Sequence, residues 1–127
     1  MTAYAHRKFV PLPYAEALAR TRQALAEHGF GVPAEMDTQA IFRTKLGKES
    51  APRMILGACL PAVAFEALMV EPDIAVLLPC NVVVRQVEGG CEVTTIDPKV
   101  LFTLTENVDP AHAEVVDGLL RQVLNAI

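Results

Sequence analysis

The chain of 127 residues contains no tryptophan, and only 6% of it is aromatic. So few rings leave little from which to build a platform that stacks nucleic-acid bases. An excess of positive charge is missing too. Fifteen acidic residues outnumber eleven lysines and arginines, for a net charge of −4. A polyanion binder normally shows the opposite balance, so no general nucleic-acid binding is expected. Long apolar runs are absent. The longest uncharged stretches, 54–65 and 74–84, fall well short of the roughly 20 residues that span a bilayer. Residues 1–10 have no apolar stretch after their charges and do not read as a signal peptide. No membrane association and a cytoplasmic location are expected.

Cysteine is scarce. Cys59, Cys80 and Cys91 form an odd set with no Cys-x-x-Cys spacing. A disulfide framework is therefore not expected, and a reducing compartment suits them. Ser50 is the one serine, and it lies in Lys-Glu-Ser-Ala-Pro rather than in a nucleophile elbow. Gly89-Gly90 belongs to a hairpin turn, so no glycine-rich phosphate loop is present.

What is there is apolar. Hydrophobic residues make up 52% and charged residues 20%, with a mean hydropathy of +0.32. Such a chain is not disordered, and its length suits a single domain over residues 1–127. Alternation predicts a strand over Tyr4–Val10. Pro11 and Pro13 then introduce a helix carrying Tyr14, Leu18, Thr21, Leu25 and His28 on one face, ended by Gly29. Phe30–Met36 reads as a short strand, and Asp37 as the N-cap of a helix over Thr38–Leu46 closed by Gly47. Met54–Cys59 reads as a buried strand and Ala62–Met69, after Pro61, as a helix. Ile74–Val87 reads as a long strand bent at Pro79, because proline cannot donate a ladder hydrogen bond. Glu88-Gly89-Gly90 turns the chain into a strand over Cys91–Ile96. Val100–Thr105 reads as one more strand. Asp109 and Pro110 start a last helix whose stripe is Val116, Leu120, Val123 and Ile127. The fold class this order implies is α+β, a sheet with helices packed mainly on one face.

Two segments carry the candidate chemistry. In Leu56-Gly57-Ala58-Cys59-Leu60-Pro61, Cys59 falls just before a helix start, where unpaired N–H groups favour a thiolate. In Leu77-Leu78-Pro79-Cys80-Asn81, Cys80 follows a strand interruption. Residues 60–73 are long enough for a helical crossover between parallel strands. Such a crossover is expected to leave Cys59 and Cys80 near one end of the sheet, whereas antiparallel strands are expected to separate them. Plain packing competes with any site, because free cysteine behaves as a small buried hydrophobe. The histidines carry weaker signals. His6 sits in an edge-like strand, His28 at a helix C-terminus that favours a cation, and His112 in the first turn of the last helix. Arg43, Lys45, Lys48 and Arg53 form a basic cluster best read as a solvated surface. Glu71 and Asp73, flanking Pro72, read as exposed.

Lys45-Leu46-Gly47, Gly57-Ala58-Cys59-Leu60-Pro61 and Leu77-Leu78-Pro79-Cys80-Asn81-Val82 together resemble an uncharacterised family, the domain of unknown function numbered 302. Gly29-Phe30-Gly31 and Ile96-Asp97-Pro98 also fit. The family usually has Asn where this chain has Leu60, so a contact made by that Asn is missing here. The resemblance implies a small α+β fold similar to the TATA-binding-protein-like class, and often a dimer. It implies no established activity, cofactor or substrate.

The leading expectation is a small homodimeric binding or accessory domain, with a ligand site around Cys59, Pro61, Cys80 and Asn81. The alternatives are a thiol redox protein, with Cys59 attacking and Cys80 resolving, and a soft-metal site using both thiolates.

Overall fold

Proline and aspartate set most of the element boundaries. The computed structural model describes residues 2–127. Its elements are β1 (Ala5–Val10), α1 (Tyr14–Glu27), β2 (Gly31–Asp37), α2 (Thr38–Leu46), β3 (Arg53–Cys59) and α3 (Pro61–Val70), then a 3-10 helix (Pro72–Leu77). They continue with β4 (Cys80–Val87), β5 (Gly90–Ile96), α4 (Pro98–Phe102) and α5 (Pro110–Asn125). The Asp37 carboxylate accepts from the Ala40 amide and Gly47 closes α2 at φ 63°, as the sequence predicts. Asp109 accepts from the Ala111 amide and Pro110 takes the first position of α5.

Two expectations change. Val100–Thr105 is not a strand; the chain there is helical, in α4. Asp97 accepts from the Lys99 amide and Pro98 occupies the first turn, so a local cap overrides the strand-like composition that follows. Nor is Ile74–Val87 one strand. Its first part is the 3-10 helix that Pro72 begins, and pairing starts only at Cys80, after Pro79.

All five strands pair antiparallel, in the order β1-β5-β4-β3-β2. This is an α+β domain. Alternation sends Leu56, Val82, Val84, Cys91 and Val93 to one face, where they are buried with Leu25 of α1 and Leu120 and Val123 of α5. Each such side chain contributes about 1.5–3 kcal/mol by leaving water. The other face keeps Phe9 and Met36 exposed. On that face Glu92 pairs with Arg7 at 3.3 Å and with Arg85 at 2.9 Å. No helix among the described residues is long and apolar enough to cross a membrane.

A candidate ligand cavity at the two cysteine segments

β3 ends at Cys59 and β4 begins at Cys80. Their ladder is antiparallel, with Ala58 opposite Cys80. The expected parallel crossover is therefore not formed, and the expected consequence is reversed. Antiparallel pairing sets the end of one strand beside the start of the next, so it brings the cysteine segments together. A parallel pair would have placed them at opposite ends. Cys59 lies one residue beyond the partner of Cys80, at the very end of β3, so the two are near one another at the strand ends without being directly opposed.

Gly57 permits the close approach of the second segment. A Cβ built on it would stand 2.5 Å from Pro79 Cγ and 3.3 Å from the Ala34 Cβ. Real Cβ atoms do not approach a carbon so closely, since optimal separations are about 3.5–4.0 Å. Any larger residue would push Pro79, and with it the start of β4.

Above this junction, α3 and the 3-10 helix border a half-open cavity of about 300 Å³. Phe30, Cys59, Val63, Ile74, Cys80 and Phe102 are among its walls, and no charged side chain lines it. Ala67 of α3 is buried against it, whereas Phe65 and Met69 of the same helix face outward and are exposed. Pro61 is not a wall; it starts α3 behind Leu60, whose side chain makes no capping bond. Asn81 turns to a separate cavity of about 250 Å³, shared with Tyr4 and Thr94. Cys80 and Pro79 line both. Of the four residues the sequence singles out, Cys59 and Cys80 thus share the cavity under α3, and Pro61 and Asn81 do not.

Burial pushes the Cys80 thiol up to about 11, and the neighbouring Cys59 adds to the effect. Cys80 is therefore protonated at neutral pH and acts as an apolar wall. Cys59 is half-buried. Cys91 stands apart in the main core, with its sulfur 3.4 Å from the Leu12 carbonyl oxygen and its thiol pKa raised by burial.

The remaining polar candidates resolve into local bonds. His28 Nδ1 lies 2.7 Å from the Ala24 carbonyl oxygen, and His112 Nε2 lies 2.9 Å from Glu66 Oε2. Arg43 of the basic cluster is paired with Glu49 at 2.9 Å. The carboxylate of Glu71 accepts from the Glu106 and Asn107 amides at 2.7 Å each, so it anchors a loop rather than pairing with Asp73.

One polar cluster had no signal in the sequence. His6 Nε2 lies 3.0 Å from Asp117 Oδ1 and 3.7 Å from Asp97 Oδ2. The three residues come from β1, α5 and the turn between β5 and α4. Asp117 is buried, which by itself raises its carboxyl pKa. Hydrogen bonds from Arg121 and His6 more than offset this and hold it below the ordinary value.

A family model described as a domain of unknown function, DUF302, matches residues 6–127. Among solved structures, the chain is similar to the crystal structure of an uncharacterized conserved protein DUF302 from Bacillus stearothermophilus. The two share 25% sequence identity with a TM-score of 0.85, over 98% of each chain. No curated protein matches the chain.

Proposed function

The chain belongs to the DUF302 family, a family of unknown function, and from its own geometry we propose that it is a small binding domain that holds a compact apolar molecule between its two cysteine segments. The observation that carries this reading is the cavity of about 300 Å³ walled without a charged side chain. Apolar cavities of about half that size already take up benzene, because nothing inside competes to hold water. A ligand of two fused rings or a short alkyl chain is the matching size. Burying about 200 Å² of its surface at roughly 25 cal/mol per Å² gives about 5 kcal/mol, a dissociation constant on the order of 0.1–1 mM for an unelaborated probe.

The protonated Cys80 thiol counts against a resolving role in thiol exchange, and a soft metal would have to displace its proton first. Self-association belongs to the same reading as the binding role. The exposed Phe9 and Met36 on the less covered face of the sheet support it. A cytoplasmic site of action is in keeping with three cysteines that form no disulfide.

The test uses a neutral fluorescent probe, N-phenyl-1-naphthylamine, titrated into the protein. Saturable one-to-one binding is expected, and Ala67→Phe or Val63→Phe, which fill the cavity, should each abolish it. Circular dichroism shows whether either variant has lost its fold. Failure of the wild type to bind, or binding indifferent to both fillings, overturns the proposal.

A further inference from the structure

A polar centre outside the cysteine cavity's lining lies at the end of the β1–β5 ladder. His6, Asp97 and Asp117 each bring one donor atom to a common point, and these atoms all lie within 4.8 Å of one another. We propose that they form a divalent-cation site of one nitrogen and two oxygen donors.

The way the carboxylates are held supports this. Each has one oxygen fixed by a protein donor and the other turned toward His6. Asp97 Oδ1 accepts from the Lys99 amide at 2.9 Å, and Oδ2 faces His6 Nε2 at 3.7 Å. Asp117 Oδ2 accepts from Arg121 Nε at 2.9 Å, and Oδ1 faces His6 Nε2 at 3.0 Å. Outer partners of this kind orient metal ligands and fix which atom reaches the ion. Zinc–nitrogen and zinc–oxygen bonds of about 2.0–2.2 Å put neighbouring ligand atoms about 3.3 Å apart in a tetrahedron, between the two separations to His6.

An independent observation lies beside the triad. Thr95 pairs directly with His6 in the ladder, so both project from the same face, and Thr95 is two residues from Asp97. Thr95 is 2% exposed, and its hydroxyl has no hydrogen-bond partner. Leaving a buried hydroxyl unpaired costs about 1–3 kcal/mol. A water on the fourth position of the cation would supply that partner. Three protein ligands and one water is the arrangement of an open rather than a closed zinc site.

Two cations compete for the same carboxylates. Lys99 Nζ stands 3.9 Å from Asp117 Oδ2, and the Arg121 guanidinium comes within 3.5 Å of His6 Nε2. Both side chains are about half exposed. Lys99 has a second carboxylate in Glu114 at 3.4 Å, to which it can withdraw. Cation entry therefore displaces Lys99 and draws the terminal Arg121 nitrogen away from His6, while Arg121 Nε keeps its bond to Asp117 Oδ2. Nitrogen and oxygen donors suit zinc or manganese rather than copper(I).

The experiment measures Zn²⁺ uptake by the full chain at pH 7.5 by calorimetry, with Co²⁺ absorbance as the spectroscopic readout. One ion per chain is expected, with no thiolate-to-cobalt charge-transfer band. Asp97→Asn and Asp117→Asn should each weaken binding at least tenfold; Asn caps a helix as well as Asp does, so the first keeps α4 intact. His6→Gln, checked for fold by circular dichroism, should do the same. Lys99→Ala should tighten binding several-fold, because it removes a competing charge and leaves the Lys99 amide in place. The Cys59→Ser, Cys80→Ser double variant should bind as wild type. Absence of one-to-one uptake, or uptake lost with the cysteines and kept without the aspartates, overturns the site.

Discussion

Replacing Gly57 by alanine probes the junction on which the cavity is built. The backbone at Gly57 is not in the left-handed region, so the substitution carries no conformational strain of its own. Alanine even gains about 0.4–1 kcal/mol by restricting the unfolded chain. The cost is therefore steric. The new methyl meets Pro79 Cγ at 2.5 Å, and relief to an ordinary carbon contact needs a retreat of about 1 Å. Pro79 is bonded directly to Cys80, the first paired residue of β4, so the shift enters the ladder as well as the cavity wall. Overpacking of this kind costs about 1–3 kcal/mol. The net expectation is a loss of about 1–2 kcal/mol in urea unfolding, together with weaker uptake of the apolar probe. Gly118→Ala is the matched control. A Cβ there meets nothing within 4 Å, and the residue lies inside α5, so stability should rise by about 0.5–1 kcal/mol. A Gly57→Ala protein as stable as wild type, with undiminished probe binding, would refute the reasoning.

The raised Cys80 pKa predicts an alkaline weakness. Between pH 9 and 11 the unfolded thiol loses its proton while the folded one keeps it, so stability falls as pH rises through this window. The shift from 9.0 to about 11 is worth about 2–3 kcal/mol. Urea unfolding at pH 8 and pH 11 should show that loss in wild type and a smaller one in Cys80→Ala; equal losses would sink the assignment. Lys8 donates to the Leu124 and Ile127 carbonyl oxygens at 2.9 Å each, which completes the C-terminal turn of α5. Lys8→Met should cost about 1–2 kcal/mol and speed hydrogen exchange at the last amides of the helix. Unchanged exchange there would show that the lysine is not what closes that turn.

Local chemistry was legible where it was the whole cause. Asp37 with Gly47, and Asp109 with Pro110, mark the starts and stops that the structure has. The same Asp-Pro pair at Asp97-Pro98 reads in the sequence as a break before a strand, because Val100, Leu101 and Phe102 carry strand-like composition. The cap decides, since it satisfies the Lys99 amide at once. The sequence ties proximity of the cysteines to a parallel crossover, and the antiparallel β3–β4 ladder brings them together instead. Strand direction depends on where α3 and the 3-10 helix return the chain, and no residue in either segment encodes that by itself. Pro61 and Asn81 looked equal to the cysteines in the sequence, yet one serves as a helix start and the other turns to another cavity. The His6 cluster could not be read at all. His6 lies some ninety and more than a hundred residues before its two carboxylate partners, and the three meet only through the β1–β5 register and the seating of α5.

That last seating bears on how the chain is made. β1 has no partner in the sheet until β5 exists, and His6 finds Asp117 only across 111 residues. Every other adjacent pair in the sheet joins strands that are neighbours in sequence; β1 alone must reach across the intervening strands to β5. Closing so long a loop adds only a few kcal/mol of entropy beyond a short one, since the penalty grows with the logarithm of length. Its effect falls on rate, because non-local pairing delays the barrier crossing. A nascent chain that has emerged only through β4 would carry a β4-β3-β2 sheet with β1 adrift. Chaperones and proteases would meet this protein in that half-zipped form.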